Sequence, residues 1–272
     1  MRNSKAVVCL SGGADSATVL YLAVAQCTEV HAISVNYGQR HVKELECAKA
    51  LCNELNIKHT IIDFKTLASF GGSPLVDSSI DVPSQSENKQ TTTVVPYRNV
   101  FLTTIAAAYC QQHGLNTIYV GPTYEDLANY PDCRPEYITS IQQTLRLAGT
   151  IHDIEIRAPF ISITKDRIVL LGIERLEVPY EKTWTCYKGG DKPCMECDSC
   201  KERAASFYLN GFKDPIVSDE DWTRYKEEMT KNKTTPFVKV FSGNNPRIHQ
   251  QQEVVYKSIE NPIKDNTELS NG

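Results

Sequence analysis

At 272 residues, 41% hydrophobic and 23% charged, the chain has the length and composition of one large globular domain or of one domain with an appendage. A net charge of −4 and a pI near 5.9 exclude a general polyanion binder, and no Lys/Arg block of the usual length marks a nucleic-acid patch. The first apolar stretch breaks at residues 11–16, too early for a signal segment or a membrane span, and ten cysteines without an export signal argue against a disulfide framework. A cytoplasmic protein without membrane contact is the expectation.

Residues 6–10 form an apolar run of strand length, residues 11–16 (SGGADS) a small turn-prone loop, and residues 17–25 an apolar stretch at helical spacing. Strand, glycine loop and helix in this order aim backbone N–H groups and a positive helix end at one point, which suits a phosphate. Glycine permits the close approach. No Lys follows the second glycine, as GxxxxGK[ST] requires, and GxGxxG is absent. SGGxDS instead resembles the pyrophosphate-binding loop of the ATP pyrophosphatases, the PP-loop superfamily. The plain alternative is a tight βα turn with Ser or Asp as helix cap.

Residues 29–37 read as a second strand, with Gly38, Gln39, Arg40 and His41 at its C-terminal end. Residues 42–55 follow as a helix with Leu45, Ala48, Leu51, Cys52 and Leu55 on one face, then residues 59–64 as a third strand. This alternation predicts an α/β fold, a doubly wound parallel sheet with ligands at the C-terminal ends of its strands. Residues 69–93, rich in Gly, Ser, Pro and Gln, read as a long loop, either a flap over the site or a tolerated insertion.

Pro96 holds Val95 extended and Asn99 is expected to cap a helix over residues 100–113, which sets Arg98 beside the helix entrance. There it is either a surface arginine or a neutraliser of a phosphate or carboxylate. A strand over residues 117–120 ends at Gly121. In the polar loop 122–135, Tyr124, Glu125, Asp126, Tyr130, Asp132 and Arg134 could stack on and hydrogen-bond a flat heterocycle, or pair among themselves. A helix over 136–148, a strand over 155–160 and a helix over 165–176 follow. Lys165 opens the last, as a phosphate ligand or an ordinary surface lysine.

Cys186, Cys194, Cys197 and Cys200 read C-x7-C-x2-C-x2-C. Four thiolates so spaced can close on one tetrahedral ion, best Zn2+, and a sphere with no open position makes that ion structural. An iron–sulfur cluster and a Cys194–Cys197 redox pair are the alternatives.

In order, SGGADS, NYGQRH, VPYRN, YPDCRP and TWTCY, then the cysteine cluster and Arg203, closely resemble the 7-cyano-7-deazaguanine synthase (QueC) family over residues 5–209. The resemblance implies a PP-loop domain over residues 1–183, a zinc-binding region over 184–210 and an extension over 211–272. It implies ATP and Mg2+ at Leu10, Ser11, Gly12, Gly13, Ala14, Asp15, Ser16 and Ala17, and Zn2+ on the four cysteines. Catalytic positions would be Asp15, Ser16, Arg98 and Lys165. Tyr97, Arg98, Tyr130, Asp132 and Arg134 would meet a deazaguanine substrate, 7-carboxy-7-deazaguanine, with ammonia as the second partner. In the family's chemistry, adenylation gives the carboxylate a good leaving group, ammonia forms the amide, and a second adenylation permits dehydration to the nitrile.

Three departures stand out. The family usually has glycine at Tyr97 and GVCETDFSGYPDCR where this chain has GPTYEDLANYPDCR, and residues 211–272 run past its common end. These favour a rival acceptor, a protein amine, as in QueC-like proteins of anti-phage operons. A PP-loop tRNA-thiolating enzyme, using Cys133 or Cys110, is the more remote reading. The extension carries a helix over 220–231, a strand over 236–241 and a polar end after Asn261 that reads as disordered. The sequence leaves the oligomeric state open, a homodimer included.

Overall fold

The computed structural model describes residues 4–39, 43–77, 79–80 and 94–231. Its elements are β1 (Lys5–Cys9), α1 (Ala14–Gln26), β2 (Glu29–Asn36), α2 (Lys43–Glu54), β3 (Lys58–Asp63), α3 (Arg98–His113) and β4 (Thr117–Tyr119), followed by α4 (Asp126–Asn129), α5 (Pro135–Ala148), β5 (Glu155–Arg157), α6 (Lys165–Glu174), α7 (Asp198–Leu209) and α8 (Asp219–Lys231). The five strands form one parallel sheet in the order β3-β2-β1-β4-β5. The chain builds outward from β1 to β3 and then crosses back to lay β4 on the other side of β1. Such a reversal opens a crevice at the C-terminal ends of β1 and β4.

β1 reads as an unbroken apolar run because helices cover both of its faces. Ala6 and Val8 join a core with α1, α2, α6 and α7, whereas Val7 joins a second core with α3 and α5. The doubly wound α/β arrangement is as expected. Several element ends move. α1 starts at Ala14, not at residue 17, since Ala17 N–H donates to the Gly13 carbonyl at 3.0 Å, so Asp15 and Ser16 lie in its first turn. β5 stops at Arg157: Pro159 has no N–H for a ladder, and the chain turns, with Ile161 N–H donating to Ala158 O at 3.3 Å. Helix α3 begins at Arg98 with Tyr97 at the cap position (φ 56°), so Asn99 is not the cap. The Asn99 N–H is instead received by Asp132 Oδ2 at 3.1 Å. α7 grows directly out of the cysteine segment, with Cys197 at its cap position and Cys200 in its first turn.

Arg40 and His41, residues 78 and 81–93 of the long loop, the strand expected over 236–241 and the end after Asn261 lie outside the described residues. Among the described residues no helix is long and apolar enough to cross a membrane.

Past α7 the chain folds back into the first core. Val217 and Trp222 are buried there, and Asp214, 1% exposed, makes a two-pronged ion pair with Arg203, from Nε at 2.8 Å and Nη2 at 3.0 Å. Arg203 also donates to the Tyr180 carbonyl at 2.9 Å and to the Thr183 and Thr185 hydroxyls at 2.6 and 3.3 Å, so all its donors have acceptors. Asp214→Ala would leave that guanidinium charged and half-satisfied in the core, and should cost about 3–5 kcal/mol of unfolding free energy in urea. Lys213→Ala, which removes only an exposed pair with Asp219, should cost about 1 kcal/mol or less.

Candidate active site

Between β1 and α1 the loop is held by its own hydroxyls. The Ser11 and Ser16 Oγ atoms lie 2.9 Å apart, Gly13 N–H donates to Ser11 Oγ at 3.2 Å, and Ser16 Oγ donates to Gly13 O at 3.1 Å. No side chain caps α1, so its opening N–H groups stay available to a ligand. Gly12 has φ +94°, and a β-carbon there would stand 2.0 Å from the Glu44 carbonyl oxygen of α2. Its own carbonyl accepts the Trp184 N–H at 3.0 Å. At β4's end Gly121 passes close to α1, an added β-carbon coming 3.6 Å from Ser16 Cα.

A cavity of about 290 Å³ opens above this loop. One wall carries Tyr37, Gln39 and Glu44, from the end of β2 and the start of α2; another carries Arg98, Asn99 and Thr103 from α3. Asp126, Tyr130, Asp132 and Cys133 come from the loop after β4, and Trp184, Thr185, Cys186 and Tyr187 from the cysteine segment. Arg98 hydrogen-bonds Tyr37. Burial pushes the Glu44 carboxyl up to about 7, with Arg98 pulling the other way. Cys9 and Cys133 also face the cavity, but burial pushes both thiols up to about 12, so neither is a thiolate at neutral pH.

Lys165 is mostly buried. Its ammonium lies 2.5 Å from Glu202 Oε2 and 3.8 Å from Asp15 Oδ2. Burial opposes its charge, but Glu202, Asp15, Asp126 and Glu125 outweigh burial and hold it protonated well above its usual range. Burial raises the Asp15 carboxyl, and Lys165 offsets part of that shift. Glu125 Oε1 accepts the Lys165 backbone N–H at 3.1 Å and so caps α6.

The Sγ atoms of Cys186, Cys194, Cys197 and Cys200 all lie within 4.8 Å of one another, with Cys194 and Cys200 3.9 Å apart. An ion bonded to sulfur at about 2.3 Å in a tetrahedron needs edges of about 3.8 Å. A disulfide would need about 2 Å, and all four thiols are free. The amides of Cys194, Glu196 and Cys197 donate to these sulfurs at 3.3–3.4 Å, which favours thiolates. The cluster is therefore built to hold a metal ion. Lys43, at the start of α2, clasps this segment, donating to the Gly190 and Asp191 carbonyls at 3.1 and 3.0 Å, with its ammonium 3.5 Å from the Trp184 ring centre.

Residues 5–211 match the family described as queuosine biosynthesis protein QueC. The chain belongs to the QueC family. It is similar to the 7-cyano-7-deazaguanine synthases of Archaeoglobus fulgidus (40% identical over 234 residues, 84% of this chain and 98% of that one) and Trichodesmium erythraeum (45% over 224 residues, 78% and 100%). That of Thermoplasma acidophilum is 42% identical over 240 residues, 86% of this chain and all of that one. Membership in QueC carries ligase chemistry of the QueC kind and ATP binding to this chain.

Of the residues singled out for the QueC loop, Ser11, Gly13, Ala14, Asp15 and Ser16 face the cavity. Leu10 and Ala17 are buried in the core behind it, and Gly12 is turned onto α2. Arg98, Lys165, Tyr130 and Asp132 line the cavity together; Tyr97 and Arg134 do not. The Tyr97 side chain is 73% exposed, pointing away at the cap of α3, and Arg134 Nε donates to the Leu127 carbonyl at 3.0 Å. Sequence reasoning gave no site role to Glu44, nor to Tyr37, Trp184, Thr185 and Tyr187, although the last four lie in the motifs NYGQRH and TWTCY. Glu44 carried a usable signal, an acid in the first helical turn after a strand's C-terminal end.

Gly12→Ala should displace the loop. Positive φ alone costs about 1–2 kcal/mol for a non-glycine residue, and the clash adds to it. Calorimetry should show at least tenfold weaker ATP binding together with a lowered Tm. Gly114→Ala, with φ +66° and nothing within 4 Å of an added β-carbon, should lower Tm alone.

Proposed function

We propose that this chain adenylates the carboxylate of 7-carboxy-7-deazaguanine with ATP and joins the acyl group to ammonia, ending at the nitrile, 7-cyano-7-deazaguanine. The carrying observation is one cavity in which a phosphate-type loop, two cations and an aromatic, carboxylate-bearing wall converge, in a QueC-family chain. The β- and γ-phosphates fit the amides of Ala14 to Ser16 at the head of α1. Lys165, held protonated, offsets charge as pyrophosphate leaves. Arg98 stands where it can pair with the substrate carboxylate or the α-phosphate, and Tyr130 and Asp132 offer a face and an acceptor to the heterocycle. No side chain acts as a nucleophile. Positioning and charge compensation supply the rate.

Mg2+ entering with ATP would find Asp15 at the mouth of the loop and would screen phosphate charge there. Zn2+ is the ion proposed for the four cysteines, in a structural role, since four thiolates leave it no open position. Tyr97, one of the departures behind the protein-amine acceptor and an anti-phage role, lies off the cavity wall, so ammonia is the acceptor proposed. A thiolating reading gains nothing from Cys133, whose thiol is held protonated.

Incubation with Mg-ATP, 7-carboxy-7-deazaguanine and ammonium should yield the nitrile, with one AMP and one pyrophosphate per adenylation, followed by mass spectrometry. ADP in place of AMP, or no turnover, would sink the reading. Arg98→Ala should slow turnover by about a hundredfold or more, as loss of one aimed stabiliser does elsewhere. Metal analysis should find one zinc per chain, and its removal by chelation should lower Tm.

A further inference from the structure

Four carboxylates line the cavity: Asp15, Glu44, Asp126 and Asp132. Three have partners. Asp15 faces Lys165, Asp126 Oδ2 accepts the Thr123 N–H and hydroxyl at 2.8 and 3.0 Å, and Asp132 Oδ2 accepts the Asn99 N–H. Among the described residues, the Glu44 carboxylate has neither a hydrogen bond nor an ion pair. The carbonyl of the same residue packs on Gly12, which puts Glu44 beside the phosphate loop. The carboxylate itself stands near Arg98 and Tyr37, and in the ligase reading above Arg98 meets the substrate carboxylate or the α-phosphate, so the acyl group would lie at this end. The heterocycle then extends toward Tyr130 and Asp132.

The second reactant reaches that end as ammonium, which has no lone pair until it gives up a proton. An unpaired carboxylate suits both tasks, since it attracts the cation and can accept the proton. Resting on the ligase reading above, we propose that Glu44 receives the ammonium ion and takes one of its protons as the nitrogen attacks the acyl-adenylate. The freed lone pair forms the C–N bond, and the C–O bond to the phosphate breaks with its electron pair leaving on AMP. The adduct nitrogen sheds its surplus proton to water, and Glu44 returns its own to solvent. Titration of this carboxyl near 7 matches the proton transfer to the working pH. The groups facing it are Arg98, whose charge lowers its pKa, and the neutral Tyr37 hydroxyl.

Glu44→Gln keeps the shape and removes the base. Three rates are compared with wild type: ATP–pyrophosphate exchange driven by 7-carboxy-7-deazaguanine, acyl transfer to ammonium from pH 6 to 9, and acyl transfer to hydroxylamine, which is mostly unprotonated at pH 7. Exchange should stay within about threefold, and transfer to ammonium at pH 7 should fall by about a hundredfold, the lower range for loss of a general base. Transfer to hydroxylamine should stay within about fivefold. Wild type should show a rise in ammonium transfer through about pH 7 that the variant lacks. Unchanged ammonium transfer, or equal losses in exchange and with both amines, would overturn the proposal, the second pattern marking a role in holding substrate or ATP. Absence of exchange in wild type would instead fell the ligase reading, and this inference with it.

Discussion

The backbone at Gly12 is the point on which the cavity depends. There the loop turns with a positive φ, lies flush against the Glu44 carbonyl and accepts the Trp184 amide. Three parts far apart in sequence, the loop after β1, the head of α2 and the cysteine segment, are thus registered on an atom too small to hold them apart. The amides of α1's first turn take their direction from that contact. A side chain at this position would wedge the loop from its support and misalign the very donors that a phosphate needs. Close backbone approach, more than any single polar bond, sets the geometry of the site.

A second set of contacts ties the site to the metal cluster. Cys200, Glu202 and Arg203 follow one another on α7. Cys200 faces the other three cysteines, Glu202 holds Lys165 against Asp15, and Arg203 gathers Tyr180, Thr183, Thr185 and Asp214 around itself. One helix therefore carries a metal ligand, the counter-ion of a cavity cation and a buried arginine hub. A shift of α7 would be felt at Asp15 through packed, charged groups with little freedom to compensate. Fixing the helix at its cysteine end therefore also fixes Glu202, and through it the Lys165 ammonium at the cavity.

What was legible in the sequence was what is local. β1, its loop and α1 show in an apolar run, two glycines and a periodic stretch, and the metal cluster shows in spacing alone. The strand–helix alternation led to the parallel sheet, and hence to the ends of the strands as the place for a site. Contacts between distant segments were not legible. Asp132 looked like a substrate acceptor, yet one of its oxygens receives the Asn99 amide at the start of α3, thirty-three residues earlier in sequence. Lys165 read as a phosphate ligand or a surface lysine, and the Glu202 that pairs with its buried ammonium comes thirty-seven residues later. Tyr97 sat in a site-forming motif, but its left-handed backbone turns the ring to solvent. For Asp132 and Lys165 the deciding partner comes from a segment distant in sequence, and no spacing rule reports it.

The Arg203–Asp214 pair and the docking of Trp222 bear on how the chain is made. The residues that match the family end at 211, but the charge at 203 has its counter-ion three residues beyond that border, and the core is closed only by Trp222. Synthesis runs from the N-terminus at about 5–20 residues per second, so about 1–4 seconds separate the making of Arg203 from that of Trp222. During that interval a growing chain holds every residue of the cavity and still has an uncompensated cation and an open apolar seam. A chain ending at the family border would therefore carry every residue that lines the cavity and still lack the counter-ion of Arg203 and the apolar cover that Trp222 gives the core.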